Sequence, residues 1–360
     1  MLNDPRRSFV YNAVPTNARF GVGEVRHLGQ ELDRLESQRV LFVTTPGGKR
    51  RHEDIVLHDN RFVAVFDRVE PHCPEPTVQA VVSSFLDAGA DTVVTLGGGS
   101  AIGLGKVLAA EHGAKFIAIP TTYSGSEVTP IYGRKIDGEK RTRVDRAAIP
   151  HAVIYDPELT LTLPAAETSS TGMNSLAHAV EALYPPAPNP IARQFAFEAV
   201  ELLVRSLPIC VEEPDNLGAR SDALYAGFIG GLLVSMVGVA LHHALGHILG
   251  GLFNMRHGDY NSAVLPQIVG FNQSAVPDIG RAFERVGIRN PGEGVHRLVE
   301  QIGAPINLRD LGMPEDGIEL AARAALKKSP RNPRQYTAED MLKLIGEAYY
   351  GRPPNFSPMT

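Results

Sequence analysis

The chain has 360 residues, of which 43% are hydrophobic and 21% are charged, and its formal net charge is −5. This composition is typical of a globular protein, and the length favours two domains. The acidic balance, without a long basic tract, argues against a nucleic-acid partner. The two cysteines, Cys73 and Cys210, are too few for a disulfide framework or a thiolate zinc site, and they favour a reducing, cytoplasmic location. The polar N-terminus predicts no secretory signal.

The first third of the chain alternates strand and helix patterns. Apolar, β-branched runs predict strands over residues 40–45, 61–66, 91–96 and 115–119. Apolar residues at helical spacing predict helices over residues 76–89 and 100–112. Strands that are apolar throughout and separated by helices are typical of a parallel sheet covered on both faces.

The pattern changes after about Leu163, where Ala, Leu, Val and Glu recur over helical lengths. We predict a boundary near residue 160, with an α/β dinucleotide-binding domain over 1–160 and an all-helical substrate and catalytic domain over 161–360. Residues 223–241 are uncharged and approach membrane-spanning length. Because they run directly into a histidine cluster, we expect a buried core helix that carries the site, and no membrane partner. Helix breaks are expected at residues 185–190, Pro214, Gly250-Gly251, Pro266 and Pro291.

A glycine-rich turn, Gly97-Gly98-Gly99-Ser100, lies where a predicted strand meets a helix. Glycine lets a phosphate approach the bare backbone, and the helix N-terminus offers unpaired N–H groups to the anion. Two known signatures fail here: Ile102 stands where a dinucleotide fingerprint needs glycine, and Val107 follows Lys106 where an ATP loop needs Ser or Thr. The turn therefore predicts phosphate binding, with a purely structural turn as the alternative.

A second loop follows the next predicted strand and is dense in hydroxyl groups. It includes Thr121, Thr122, Tyr123 and Ser126. In a parallel sheet the carboxyl ends of the strands form the ligand crevice, so this loop and the glycine turn are expected to face the same cofactor.

Histidines are concentrated in residues 241–258, LHHALGHILGGLFNMRHG. His243 and His247 are four residues apart, as are Asn174 and His178 upstream, so each pair shares one face of a helix. Imidazoles bind metals and move protons near neutral pH. The cluster, which also includes His257, predicts an active site. The alternative is a set of ordinary core or surface histidines.

These segments together resemble the iron-containing alcohol dehydrogenase superfamily over nearly the whole chain. The matching segments are residues 97–100 (GGGS), 120–127 (PTTYSGSE), 130–133 (PIYG), 172–178 (GMNSLAH) and the histidine stretch. The resemblance implies an N-terminal α/β domain with a parallel sheet and an all-α C-terminal domain, an architecture shared with dehydroquinate synthase. It also implies cofactor contacts from Thr45 and the two loops, and a homodimer.

Within this superfamily the sequence is most similar to the branch that reduces maleylacetate. The resemblance implies that NADH or NADPH reduces the carbon–carbon double bond of this dicarboxylate to give 3-oxoadipate in aromatic catabolism. Two alternatives stay open. One is a metal-dependent alcohol or hydroxy-acid dehydrogenase of the same superfamily, including a dehydroquinate synthase-like enzyme. The other is a nucleotide-binding protein without catalytic activity.

Asn174 stands where metal-dependent relatives have an aspartate ligand. An amide cannot neutralise a dication and is a poor ligand for transition metals, so we predict a site without metal. If metal is bound, the resemblance implies His178, His243 and His257 as its ligands. Relatives also carry acidic residues at the positions of Gly103 and Thr45. Without an acid at 45 to repel a 2′-phosphate, NADPH should be accepted alongside NADH.

The resemblance and the chemistry of imidazole suggest separate roles within the cluster. We expect His243 to donate to the oxyanion that develops on the substrate, with His178 and His257 completing the pocket. His247 should lie beside the nicotinamide, and Asn174 should orient a histidine or bind the substrate. The substrate carboxylates need partners, for which the candidates are Tyr123, Arg134, Arg256 and His242.

Overall fold

The structure, a computed structural model, describes residues 9, 11, 14–51, 59–136, 139–187 and 189–356. Among these, the side chains of residues 135, 136, 139, 140 and 257 are not described. The chain divides into an α/β unit, Val14–Leu163 with Asp215–Leu232, and a helical unit, which holds the remaining residues. A domain boundary near residue 160 remains our proposal, and the grouping of 215–232 with the α/β unit is an addition to it.

The α/β unit contains a six-stranded sheet within its described residues, in the order β1-β8-β5-β4-β2-β3. All paired strands in this sheet are parallel. A separate antiparallel hairpin is formed by β6 and β7. The strands are β1 (Asn17–Phe20), β2 (Val40–Val43), β3 (Phe62–Phe66), β4 (Thr92–Gly97), β5 (Lys115–Pro120), β6 (Ile131–Ile136), β7 (Glu139–Val144) and β8 (Ala152–Tyr155).

Helices lie between the strands of this unit. They are α1 (Leu28–Arg34), α2 (Pro46–Arg51), α3 (Glu75–Asp87) and α4 (Gly99–His112). The predicted parallel α/β fold is confirmed, and all four strands and both helices predicted in this region are present. Every residue of β2, β4 and β8 is buried, which is why these strands read as continuous apolar runs rather than alternating ones.

The chain after residue 163 forms only helices among its described residues. They are α5 (Ala165–Glu181), α6 (Pro190–Glu212), α7 (Leu217–Val237), α8 (Leu241–Phe253), α9 (His257–Asn272), α10 (Pro277–Glu284), α11 (Pro291–Gln301), α12 (Gly317–Lys328) and α13 (Ala338–Tyr350). Most of α7 belongs to the α/β unit. In the helical unit α9 is central and packs against α5, α8, α11 and α13.

The apolar stretch at 223–241 is not the single core helix that we expected. Helix α7 ends at Val237, Gly238 has a φ of 73°, and α8 begins at Leu241, so the histidines lie on a separate helix. Among the described residues no single helix is long and apolar enough to cross a membrane; α7 and α8 meet that criterion only as a pair with a break between them.

Of the helix breaks expected from the sequence, those at residues 185–190, Pro214 and Pro291 are present, and the two at Gly250-Gly251 and Pro266 are wrong. Gly250-Gly251 lies inside α8, because glycine is needed there for packing: a Cβ atom at Gly246 or Gly250 would lie 2.4 Å or 3.0 Å from the ring of Tyr260. Pro266 lies inside α9, whose neighbouring side chains are buried in the core. Tertiary packing outweighs the lost hydrogen bond of this proline.

Candidate active site

The glycine turn of the α/β unit lies beside the hydroxyl-rich loop. Gly97 and Pro120 end neighbouring strands in register, and the backbone N–H of Thr121 donates to the carbonyl of Gly97 at 3.1 Å. A Cβ atom at Gly98 would lie 2.8 Å from the methyl group of Thr122. Bare backbone at Gly98 therefore lets the two loops meet, as the sequence predicted.

Two hydroxyl groups at this junction are buried without a partner. The side-chain oxygens of Thr122 and Ser126 make no hydrogen bond to any described residue. Both side chains lie against the glycine turn, since a Cβ atom at Gly99 would come within 3.8 Å of the Ser126 hydroxyl. Buried polar atoms are rarely left unsatisfied in folded proteins. Together with the N-terminus of α4, which begins at Gly99, they fit the phosphates of a dinucleotide.

At Gly103 and Thr45, where metal-dependent relatives have acidic residues, local contacts explain the residues found in this chain. A Cβ atom at Gly103 would lie 2.9 Å from the buried sulfur of Cys73, so an acidic side chain cannot enter without displacing it. The hydroxyl of Thr45 accepts from the backbone N–H of Gly48 at 3.0 Å, within the first turn of α2. This part of the cleft therefore has no carboxylate at either position.

The histidine centre lies wholly within the helical unit, on α5 and α8. The rings of His178 and His243 stack at 4.6 Å, with planes 15° apart. Nδ1 of His243 lies 2.7 Å from a carboxylate oxygen of Glu181. The backbone N–H of His242 donates to the other oxygen at 2.8 Å. Asn174 accepts a 2.7 Å hydrogen bond from the amide of Asn261.

Glu181 is a member of this centre that the sequence reasoning missed. It is fully buried and stands at the end of α5, three residues after His178 and seven after Asn174. That spacing places all three on one helix face. An acidic residue continuing the face already chosen for Asn174 and His178 was the available signal.

Burial sets the charge of this centre. It raises the pKa of Glu181, while the nearby His242 lowers it. Burial lowers the pKa of His178 well below its usual range, that of His242 to about 4 and that of His243 to about 3. The low-polarity surroundings therefore favour a Glu181–His243 pair with no net charge.

The protonation of this pair decides what His243 can do. In either net-neutral form, a carboxylic acid beside imidazole or a carboxylate beside imidazolium, Nε2 of His243 carries a hydrogen. That is the form of a hydrogen-bond donor. A carboxylate beside neutral imidazole would instead leave a lone pair on Nε2, the form that a cation requires. The raised pKa of Glu181 favours the donor.

Three further residues that the sequence predicted for the active site lie outside the contacts described above. His247 is exposed on α8. Arg256 is exposed and pairs with Glu167, and the side chain of His257, the first residue of α9, lies outside the described residues.

The other candidates for the substrate carboxylates are already hydrogen-bonded. Tyr123 is fully buried, and its hydroxyl accepts from Arg220 at 2.9 Å. His242 is buried and donates from Nε2 to the carbonyl of Asn261 at 3.1 Å. Arg134 pairs with Glu111, which ties β6 to α4.

A parallel sheet with a glycine turn at its carboxyl edge, together with a helical unit that holds buried imidazole and carboxyl groups, is the arrangement of a nucleotide-dependent oxidoreductase. The chain belongs to the iron-containing alcohol dehydrogenase family. The model of iron-containing alcohol dehydrogenase matches residues 15–157, and the model of the C-terminal region of the Fe-containing alcohol dehydrogenase family matches residues 168–349.

Individual relatives match over nearly the full length. The maleylacetate reductase of Sphingobium indicum is 40% identical over 349 residues, which cover 96% of this chain and 99% of that protein. The maleylacetate reductase of Burkholderia cepacia is 38% identical, with 97% and 99% covered. The crystal structure of maleylacetate reductase from Agrobacterium tumefaciens has a TM-score of 0.92 at 36% identity, with 97% of this chain and 100% of that chain covered.

Proposed function

We propose that this protein reduces the carbon–carbon double bond of maleylacetate with NADH or NADPH, giving 3-oxoadipate in the breakdown of aromatic compounds. The observation that carries the proposal is full-length similarity to maleylacetate reductases at 36–40% identity. The helical unit supports it, because its buried centre holds imidazole groups and has Asn174 where metal-dependent relatives have an aspartate ligand.

The α/β unit would hold the cofactor. The glycine turn, Thr121 and the unpartnered hydroxyls of Thr122 and Ser126 would bind its phosphates. When bound, the reduced nicotinamide supplies the hydride that the substrate carbon β to the ketone accepts. Because Thr45 and Gly103 leave no acid at either position, we propose that NADPH is accepted alongside NADH.

The histidine centre would stabilise the negative charge that develops on the substrate and supply the hydrogen bonds needed for proton transfer. Addition of hydride to a conjugated ketone moves negative charge onto the ketone oxygen, and the carbon next to the ketone must gain a proton. His243, with a hydrogen on Nε2, would donate to that oxygen, and Glu181 would keep the hydrogen in place through Nδ1. The stacked His178 shields this pair, while Asn174 and His257 would complete the pocket and His247 would contact the nicotinamide.

We further propose that the reaction needs no metal. The metal ligands of related enzymes do not fit the side chains seen here. An imidazole binds a metal in the plane of its ring, and the nearly parallel rings of His178 and His243 do not share a plane. Asn174, in place of an aspartate, already accepts from Asn261. We also propose a cytoplasmic homodimer, as in the family resemblance, with Tyr123, Arg256 and His242 as candidate substrate contacts.

One observation favours a second candidate, a metal-dependent alcohol or hydroxy-acid dehydrogenase. Ligand atoms of Glu181, His242 and His243 lie within 4.8 Å of one another, a spacing that could hold a cation. The 2.7 Å separation between Nδ1 of His243 and the Glu181 carboxylate is that of a direct hydrogen bond, which leaves no room for a cation between these two atoms.

The proposed reaction is tested by incubating the purified chain with maleylacetate and either cofactor. We expect one 3-oxoadipate to form for each NADH or NADPH consumed, and slower turnover of saturated 2-oxo acids and aldehydes. Reduction of the ketone, or turnover restricted to aldehydes, would overturn the proposal in favour of the second candidate. Binding of NADH without any turnover would instead indicate a nucleotide-binding protein.

A further inference from the structure

A buried lysine joins the two cofactor loops of the α/β unit. Lys106 lies on α4, the helix that begins at the glycine turn, and only 1% of its surface is exposed. In sequence it imitates the lysine of an ATP loop, which reaches for a phosphate. Its ammonium group is instead bound inside the protein.

All four oxygen atoms that Lys106 contacts belong to the segment that follows β5. Its Nζ donates to the carbonyls of Ser126 at 2.6 Å, Ile131 at 2.7 Å and Thr129 at 2.8 Å, and it lies 3.0 Å from the Thr129 hydroxyl. An ammonium group has three N–H bonds and no lone pair, so it suits a cage made only of acceptors. These contacts fix both ends of the segment 126–131 to one point on α4.

The charges around Lys106 fit a lysine that binds groups of the protein itself. Burial lowers the pKa of Lys106 to about 7, and the negative charge of Glu127 opposes that shift. Glu127 is also buried and accepts from the hydroxyl of Tyr155 at 2.8 Å. Burial also raises the pKa of Glu127. Lys106 therefore has all these partners, the four oxygen acceptors and the Glu127 carboxyl group, within the same segment.

The shortest contact of Lys106 is to Ser126, the residue whose unpartnered hydroxyl faces the glycine turn. We propose that Lys106 is a positioning residue for the cofactor: it holds the Ser126 hydroxyl at the distance from the glycine turn that nucleotide phosphates require. The inference rests on the proposed function only for the identity of the nucleotide. Lys106 itself does not touch the cofactor.

Lys106→Met keeps an unbranched side chain one atom shorter than lysine and removes its donors. Lys115→Met is the matched control, because Lys115 belongs to the same unit and its side chain makes one hydrogen bond among the described residues, 2.8 Å to the carbonyl of Glu36. NADH binding to the full-length chain is measured by calorimetry without any second substrate. We expect the Kd to rise about ten-fold or more in Lys106→Met and to change by less than about two-fold in Lys115→Met.

Steady-state kinetics distinguish a role of Lys106 in cofactor binding from a general loss of folded protein. In Lys106→Met the KM for NADH should rise with the Kd, while kcat and the KM for maleylacetate at saturating NADH stay within about two-fold of wild type. An unchanged Kd, or a loss of kcat in proportion to unfolded protein, would overturn the inference. Failure of both wild type and variants to turn over maleylacetate would contradict the proposed substrate while leaving the NADH titration valid.

A second variant covers the case in which Lys106→Met does not fold. Thr129→Val removes one of the four acceptors, together with the 2.9 Å hydrogen bond from that hydroxyl to the carbonyl of Ser126, and leaves the carbonyl of Thr129 in place. We expect it to fold and to weaken NADH binding by about two- to five-fold. Wild-type affinity in this variant would overturn the inference.

Discussion

The two candidate sites of this protein treat their polar groups in opposite ways. In the α/β unit the hydroxyls of Thr122 and Ser126 are left without partners, while the charged group behind them, Lys106, is fully bound. In the helical unit the carboxyl group of Glu181 is bound to the imidazole of His243 and to the backbone N–H of His242. The first arrangement is suited to receiving a ligand, and the second to holding a proton ready. The predictions below test this contrast.

The largest effect is expected from Glu181→Gln. The amide can still donate to Nδ1 of His243, but it cannot exchange a proton, so the pair can no longer carry the charge that develops during reaction. We expect kcat to fall about 100-fold with the KM for NADH unchanged. Glu198→Gln, on α6 and exposed, is the control for steady-state kinetics. A kcat within about three-fold of wild type would show that Glu181 is only structural.

The buried histidines predict a loss of stability in acid. Their folded pKa values lie below the usual 6.5, so the unfolded chain takes up protons first, and stability falls as the pH drops from about 6.5 towards the folded values. Each of His242 and His243 should cost about 2 kcal/mol by pH 5. Glu181, whose pKa is raised, offsets part of this because its folded form protonates first.

Thermal unfolding between pH 5 and pH 8 measures this dependence. We expect the Tm to fall on acidification in wild type and in His112→Asn, an exposed control, and to fall less steeply in His242→Asn. Equal slopes in all three proteins would mean that the buried imidazoles do not set the acid stability.

A single negative charge at position 45 should make the enzyme prefer NADH over NADPH. Thr45→Asp places a carboxylate at the end of β2, where it would repel a 2′-phosphate. We expect the KM for NADPH to rise about ten-fold relative to that for NADH. Thr45→Asn has the same shape without charge and should leave the ratio unchanged. Equal ratios in Thr45→Asp and Thr45→Asn would place the 2′-phosphate elsewhere.

The smallest effects concern two glycines of α8. Gly246→Ala would bring a methyl group within 2.4 Å of Tyr260 and should cost about 1–3 kcal/mol in unfolding free energy. Gly251 is exposed with no neighbour within 4 Å, so Gly251→Ala should gain about 0.5–1 kcal/mol. Denaturant titrations that show the same sign for both variants would contradict the packing described for Tyr260.

Apolar runs account for most of the strands that the sequence predicted. Strands β2, β4 and β5 are buried apolar runs and were predicted, as was β3, which is partly exposed. The polar edge strand β1 gave no such pattern, and β8 was missed although it is buried and apolar. The break between α7 and α8 was missed because the run is apolar on both sides of Gly238. Gly250-Gly251 gave a false break, because its neighbour Tyr260 lies beyond the end of the helix.

The residues of the two candidate sites were also predictable from the sequence only in part. Loop residues of the α/β unit could be paired from topology alone, since neighbouring parallel strands end at one edge. Glu181 continues the helix face of Asn174 and His178, but its burial and its contact with a residue 62 positions away are visible only in the structure. Lys106 was considered for phosphate binding, and only the positions of its four acceptors show that it faces the protein.

The central claim is that the Glu181–His243 pair acts without a metal, and metal removal tests it most directly. Maleylacetate-dependent NADH oxidation is measured on protein treated exhaustively with a chelator, with residual iron and zinc determined by mass spectrometry. We predict full activity at negligible metal content. Activity that is lost on chelation and restored by iron or zinc would contradict the account, and would assign Glu181, His242 or His243 to a metal site.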